Sequence, residues 1–351
     1  MKARKIRLLE RARRAGLFDL ARRRSARAIR ILCYHGIWLG RDGFTGDAMF
    51  MRPAAFAKRM RLLRHWGYPV ISLDDAIDCL TTGRAPPPNA VVITIDDGWY
   101  GTFAHMLPVL KQHELPATLY CDTANLLSGD AIPHVMARYL RSIAELQSRP
   151  TTAAKDELET SYRRATDVTA PRAERRADAE RFATLVGIEL GPYVADRAFH
   201  YMTPSELRRA HRDGLSIELH THNHTIHDMS RTAIAEEIRL NRETLSEILS
   251  KPPHDFRHFC YPSGRASAEA ASHCSGIGLA STTTTVQGLA WPGTPLHLLP
   301  RLLDNENHTE IEFEAELSGF ADILRSGRRS IGALADRFGS GNKGREAQDA
   351  A

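Results

Sequence analysis

Two short segments carry the residues with the clearest chemical capacity. Thr94-Ile95-Asp96-Asp97-Gly98 sets adjacent carboxylates at the end of an apolar run. His220-Thr221-His222-Asn223-His224, with His227 close behind, gathers four imidazoles within eight residues. One carboxylate with two imidazoles is a ligand set for Zn2+ or a similar divalent ion, with positions left over for water and a substrate. Neighbouring aspartates cannot both face one point from an extended strand. Where a strand gives way to a loop, one can ligate while the other faces the water beside the ion. An Asp-Asp-Gly triplet alone reads as a turn, and a histidine tract can be adventitious. It is their joint appearance at strand ends that points to a site.

The elements that must hold these residues alternate along the chain. Apolar runs at Ile29 to Tyr34, Tyr68 to Leu73, Ala90 to Ile95, Leu115 to Cys121, Leu215 to Leu219, Phe256 to Tyr261, Gly278 to Thr282 and Leu298 to Leu303 read as strands. Helical patterns separate them, such as Phe56, Met60, Leu63 and Trp66 before Gly67, or the capping box of Thr203-Pro204-Ser205-Glu206. Alternation of this kind is the signature of parallel strands with crossover helices. The run before Asp96 is apolar and β-branched on both faces, as a strand buried on both sides must be. Residues 127–200 break the rhythm with Ala/Arg/Glu-rich helical sequence, which predicts an insertion over or beside the strands.

At this point the sequence resembles the polysaccharide deacetylase family (NodB homology, carbohydrate esterase family 4). The order Thr-Ile-Asp-Asp-Gly, then His-Thr-x-x-His, is similar to the family signature. Ile31-Leu32-Cys33-Tyr34-His35-Gly36, Pro116-Ala117-Thr118-Leu119-Tyr120, Phe259-Cys260-Tyr261-Pro262-Ser263-Gly264 and Leu299-Pro300-Arg301 resemble further blocks in the same order. The resemblance spans roughly residues 30–305. It implies an α/β fold, a distorted (β/α) barrel of about seven strands with the helical insertion at about 127–200.

The resemblance also implies roles. Asp96 would be the general base, and Asp97, His220 and His224 the ligands of a divalent metal, most readily Zn2+. Thr221 would hold the histidine loop, while His222 packs or lines the cleft. A shifted frame with His222 and His227 as ligands is the alternative. Tyr261, Pro262, Ser263 and Gly264 would supply a backbone N–H to the oxyanion and contact substrate. This third motif lacks the Arg and the Tyr after Pro of the usual Arg-x-Pro-Tyr-Gly, and no Leu-x-x-His follows residue 305. Leu32-Cys33-Tyr34-His35 matches that late motif at the front of the chain, as in a circularly permuted branch, and makes His35 the candidate general acid. His297 and His308 are next in line. Arg301, beside a strand end, could replace the missing Arg and orient the base, as a conjecture.

These assignments imply a metal-dependent hydrolase of carbon–nitrogen bonds other than peptide bonds. It would remove an acetyl group from an N-acetylated sugar of a glycan or lipid-linked glycan in cell-surface polysaccharide biosynthesis. A carbohydrate-binding pseudoenzyme and a different metal-dependent hydrolase on the same barrel are the alternative readings.

Composition bounds the rest. With 351 residues and 42% apolar residues the chain can build a large core, and no run reaches the eighteen apolar residues of a membrane span. Five scattered cysteines without a CxxC pair argue against a disulfide framework or a cysteine zinc site. The net charge of +5 hides an asymmetry: residues 1–30 carry twelve Lys/Arg against Glu10 and Asp19, so the remainder sums to −5. The sequence therefore predicts a basic arm over 1–29, the barrel over 30–317 and a C-terminal tail over 318–351, partly disordered. A mildly acidic body argues against specific nucleic-acid binding. The arm, around residues 2–28, with Ile6, Leu9, Leu17, Phe18 and Leu20 interleaved, fits peripheral contact with an anionic membrane. The alternative is a basic helix packed on the acidic body. The expected location is the cytoplasm, peripheral to the inner face of the membrane.

Overall fold

A computed structural model describes residues 2–40, 49–147, 154–226, 229–264, 266 and 268–327. His227 and residues 328–351 of the expected tail lie outside the described residues.

Among the described residues there are nine strands: β1 (Arg30–Tyr34), β2 (Gly36–Ile37), β3 (Phe50–Met51), β4 (Val91–Asp97), β5 (Ala117–Cys121), β6 (Ser216–Leu219), β7 (His258–Cys260), β8 (Ser281–Gln287) and β9 (Leu299–Leu303). Seven of them close a barrel in the order β1-β4-β5-β6-β7-β8-β9, every pairing parallel, while β2 and β3 pair separately at its rim. All seven residues of β4 are buried, as its apolar run demands. Strand order follows chain order, so β1 lies beside β9, with Leu32 opposite Leu302 and Cys33 opposite Leu303. A motif moved from the end of the chain to its beginning therefore returns to the same sector of the barrel.

The helices are α1 (Lys2–Arg14), α2 (Leu17–Arg24), α3 (Pro53–His65), α4 (Leu73–Thr82), α5 (Leu107–Gln112), α6 (Thr123–Ser128), α7 (Pro133–Leu146), α8 (Lys155–Thr166), α9 (Arg172–Leu185), α10 (Gly191–Ala195), α11 (Pro204–Arg212), α12 (Arg231–Leu249), α13 (Ala268–Gly276) and α14 (Glu310–Leu317). Most form an outer layer; on β1, Tyr34 faces it, edge-on to Phe56 of α3. The alternate residues pack with α4. Its Leu73, Ala76 and Ile77 join Ile29, Ile31, Val92, Tyr120, Cys260 and Leu299 in a second apolar cluster within the barrel.

Three sequence expectations change. The strand expected at Tyr68 to Leu73 reduces to one bridge, Val70 to Val91, because Ser72 caps the start of α4 by accepting the Asp75 N–H at 3.0 Å. The strand expected at Gly278 to Thr282 begins only at Ser281 and runs through four threonines to Gln287. The expected tail from 318 is ordered at first: residues 320–327 are helical, and Phe320 packs on Phe18 at 5.1 Å between ring centroids.

The basic arm is folded onto the body. Leu9 and Phe18 are buried against Ala315 and Phe320, Lys5 pairs with Glu312 at 2.8 Å, and Arg13 pairs with Glu314 at 2.9 Å. Arg30 is fully buried and donates to the carbonyls of Leu317, Ser25 and Ala28 at 2.6–2.8 Å. The insertion, α7 to α10, returns through Phe199 to Met202 and braces the loop after β4. Tyr100 N–H donates to the His200 carbonyl at 2.9 Å, and Met202 N–H to that of Gly98 at 2.9 Å.

Candidate active site

The carboxyl ends of β1, β4, β6, β7 and β9 converge, and with them the residues singled out from the sequence. At the end of β4 the backbone of Asp97 turns to φ 81°, an uncommon conformation for a residue with a side chain. Here it aims the two neighbouring carboxylates in different directions.

Asp97 meets the histidine loop. Its Oδ1 lies 3.4 Å from His220 Nε2 and 3.2 Å from His224 Nε2, while its Oδ2 accepts the Trp99 indole N–H at 2.7 Å. The three donors form one compact cluster. His220 Nδ1 is 2.8 Å from the Cys260 carbonyl. That carbonyl can only accept, so Nδ1 carries a proton and Nε2 is the ring nitrogen turned toward Asp97. Burial would raise the Asp97 pKa, but the two imidazoles hold the carboxylate well below its usual range. A carboxylate oxygen and two oriented imidazole nitrogens suit a divalent ion with open positions. His224 retains 30% side-chain exposure, so the cluster opens to the cleft.

The histidine loop is held from behind by α12. Asn241 accepts the His220 N–H at 2.9 Å and donates to the Cys121 carbonyl at 3.0 Å, and Glu237 accepts from both the backbone and side-chain N–H groups of Asn223 at 2.7 Å. Thr221, at φ 66°, accepts the Thr225 N–H at 3.2 Å within the loop. His222 turns away: its Nδ1 is 2.8 Å from the Thr123 hydroxyl. The structure thus brings together Asp97, His220 and His224, and leaves His222 outside the cluster.

Asp96 points into the barrel and meets Arg301 of β9 in a bidentate pair, Nη1 to Oδ1 and Nη2 to Oδ2, both 2.7 Å. Arg301 is fully buried and also donates to the Thr284 carbonyl at 2.9 Å and the Thr94 hydroxyl at 3.1 Å. Burial would push the Asp96 pKa up; the Arg301 charge and its hydrogen bonds prevail and hold it at about 2. The conjecture drawn from the missing Arg of the third motif thus meets a direct contact. Cys33 and Cys260 point their thiols at Asp96 Oδ2 from 3.7 and 3.5 Å. His35, at the end of β1, has its Nε2 3.8 Å from the same oxygen and is 23% exposed. The other two candidates lie elsewhere: His308 is 3.6 Å from Asp304, and His297 precedes β9, at the amino-terminal end of its barrel strand.

The third motif narrows to one N–H. Tyr261 is buried, and its N–H donates to the Thr283 carbonyl at 3.2 Å; Gly264 N–H donates to the Tyr261 carbonyl at 2.8 Å; Pro262 has no N–H. Among the described residues, Ser263, at φ 57°, is the one of the four whose N–H has no hydrogen-bond partner. Gly264 is required beside it: at φ 64°, an added Cβ would sit 2.1 Å from Thr285. Asn241 and Glu237 escape sequence reasoning because their roles depend on contacts between separate elements. Trp99, two residues past Asp97, had a local signal only in its position.

Comparisons with known proteins bear on the family and the fold. Residues 83–281 match the family model for polysaccharide deacetylase. YxkH of Bacillus subtilis (strain 168), a protein named for the polysaccharide deacetylases, is 30% identical over 90 residues, which are 26% of this chain and 30% of that protein. The fold is similar to that of the Streptococcus pyogenes deacetylase PplD, solved in complex with acetate. The TM-score is 0.57 at 17% identity, covering 83% of this chain and 98% of that one. It is also similar to IcaB from Ammonifex degensii, with a TM-score of 0.55 at 16% identity over 83% and 97% of the two chains. With the family model matching more than half its length, the chain belongs to the polysaccharide deacetylase family.

Proposed function

We propose that this protein is a divalent-metal-dependent deacetylase. It removes the acetyl group from an N-acetylated sugar of a glycan or lipid-linked glycan, in the assembly of a cell-surface polysaccharide. The observation that carries the reading is the placement of Asp96, ionised by Arg301, next to the Asp97, His220 and His224 cluster, with His35 on the open side.

Asp97, His220 and His224 would hold the ion, and Zn2+ suits their mixed nitrogen and oxygen donors. Bound there, the ion would supply Lewis acidity to water and to the acetyl carbonyl. Asp96 accepts the proton that the attacking water loses as its oxygen bonds to the carbonyl carbon. Arg301 keeps that carboxylate ionised and fixed before the reaction. Ser263 N–H donates to the carbonyl oxygen as negative charge develops on it. His35 delivers a proton to the amine nitrogen as the carbon–nitrogen bond breaks, so that acetate and a free amine leave. His35 and Asp96 face one another, which lets the proton taken from water be passed on.

The test is acetate release from N-acetylglucosamine oligomers by the purified protein supplied with Zn2+. Asp96→Asn, which leaves the buried Arg301 charge unpaired, is expected to be less stable, yet in its folded, metal-loaded form to lose about two to four orders of magnitude in turnover. Full turnover by Asp96→Asn would end the assignment.

A further inference from the structure

We infer that helices α1 and α2 form a docking surface for an anionic lipid bilayer, with arginines and leucines displayed on their outer side. The two helices divide their cationic residues cleanly. Lys5 and Arg13 are spent on Glu312 and Glu314, Lys2 donates to the Asn307 carbonyl at 2.7 Å, and Arg22 donates to the Trp66 carbonyl at 2.9 Å and lies over the Tyr68 ring. Arg4, Arg7, Arg11 and Arg14 face away from the body and are exposed, as are Arg23, Arg24 and Arg27. Among the described residues none of these seven has an ion-pair partner. On α1, positions 4, 7, 8 and 11 share one side of the helix, opposite the buried Leu9.

Charge alone would fit any polyanion; the leucines select among them. Leu8 and Leu20 are each 55% exposed and Leu17 40%, all set among the outward arginines. Leu17, Leu20 and Arg24 follow at i, i+3 and i+7, so they share a side of α2. Here three leucines alternate with arginines on one exposed surface, the pairing of apolar and cationic groups that an interfacial helix presents. In a headgroup layer the leucines enter the acyl boundary while arginines meet the phosphates. The body beneath, negative in sum, would not be drawn to such a surface by charge. The first turn of α1 lies by Asn307, in the loop leaving β9 at the carboxyl end of the barrel. A bilayer held by α1 therefore lies alongside the rim that carries the candidate active site.

The full chain, co-sedimented with phosphatidylglycerol–phosphatidylcholine vesicles, tests this without any activity assay. The outward-facing variants spare Leu9, Phe18, Lys5 and Arg13, so the helices stay packed; thermal melts equal to those of the parent protein verify it. Arg4→Gln/Arg7→Gln/Arg11→Gln/Arg14→Gln is expected to lower partitioning about 1000-fold at low salt. Leu8→Ser/Leu17→Ser/Leu20→Ser is expected to abolish the binding that survives high salt, when surface charge is screened. Arg163→Gln/Arg164→Gln, exposed arginines of α8, should leave binding unchanged. Equal binding to pure phosphatidylcholine, no binding by the parent protein, or parent-like binding by the arginine variant would overturn the inference. Parent-like binding by the leucine variant would also overturn it, showing a general polyanion surface, as for nucleic acid, in place of a lipid one.

Discussion

Arg301 and Asp96 stand 205 residues apart in the chain and clasp each other inside the barrel through two 2.7 Å hydrogen bonds. Arg301 is buried completely and Asp96 nearly so. Removing one member leaves the other as an uncompensated buried charge, which costs about 3–5 kcal/mol. Arg301→Met should therefore destabilise the fold by that order and also sharply reduce turnover. Arg301→Met/Asp96→Asn should be more stable than the sum of the single variants. Denaturant melts of the four proteins check it; additive losses would mean that the pair is not coupled.

The histidine loop makes a selective prediction. His220→Ala and His224→Ala should each lose stoichiometric metal together with acetate release. His222→Ala should retain metal, since that ring is engaged with Thr123. Elemental analysis of the purified variants decides between these outcomes. Normal occupancy in His220→Ala and His224→Ala would remove Asp97, His220 and His224 as the ligand set.

Ser263 can be tested through its neighbour. An alanine at 264 would force its Cβ into Thr285 and displace the turn that presents the Ser263 N–H. Gly264→Ala should lower kcat by about 10²–10³-fold, the size of a lost oxyanion donor, with metal retained. Adding Thr285→Ala should recover part of the loss by relieving the clash. Unaltered kcat in Gly264→Ala would separate this turn from catalysis.

Much of this site was readable as linear text. The Asp96-Asp97 and His220-to-His224 segments each lie at one strand end, and their spacing is local. The front-of-chain Leu-x-x-His and Pro-Arg301 were legible as fragments of a pattern. Their meeting was not, because the barrel is closed by β1 beside β9, a contact between the two ends of the sequence. Apolar runs located most strands and failed at β8: Ser281 to Thr284 is polar in type yet buried. Two of its hydroxyls bond inside the fold, that of Thr282 to the His297 carbonyl and that of Thr284 to the Leu299 carbonyl. Charge alone leaves the arm either at a membrane or packed on the body. Its docking rests on Leu9, Phe18, Lys5 and Arg13, whose partners in α14 and beyond lie about 300 residues away.

Acid should loosen the seam between α1 and α14. Burial works against ionisation of Glu312, but Lys5 and the N–H and hydroxyl of Thr309 hold its pKa at about 2. A folded-state pKa below the ordinary value of 4.5 means stability that is present above about pH 4.5 and is lost as pH falls toward 2. The stability difference between the parent protein and Glu312→Gln should therefore shrink over that interval. A difference that stays constant from neutral pH to the bottom of that window would contradict the role given to Glu312.

The most direct measurement is acetate release from an N-acetylated oligosaccharide by the parent protein and by Asp96→Asn, each supplied with one equivalent of Zn2+ and assayed for bound metal in the same samples. The account predicts steady acetate and free amine in equal amounts from the parent protein. It predicts equal metal content in the variant and turnover lower by about two to four orders of magnitude. Oligosaccharide binding without acetate release by the metal-loaded parent protein, under Zn2+ and other first-row divalent ions alike, would contradict it.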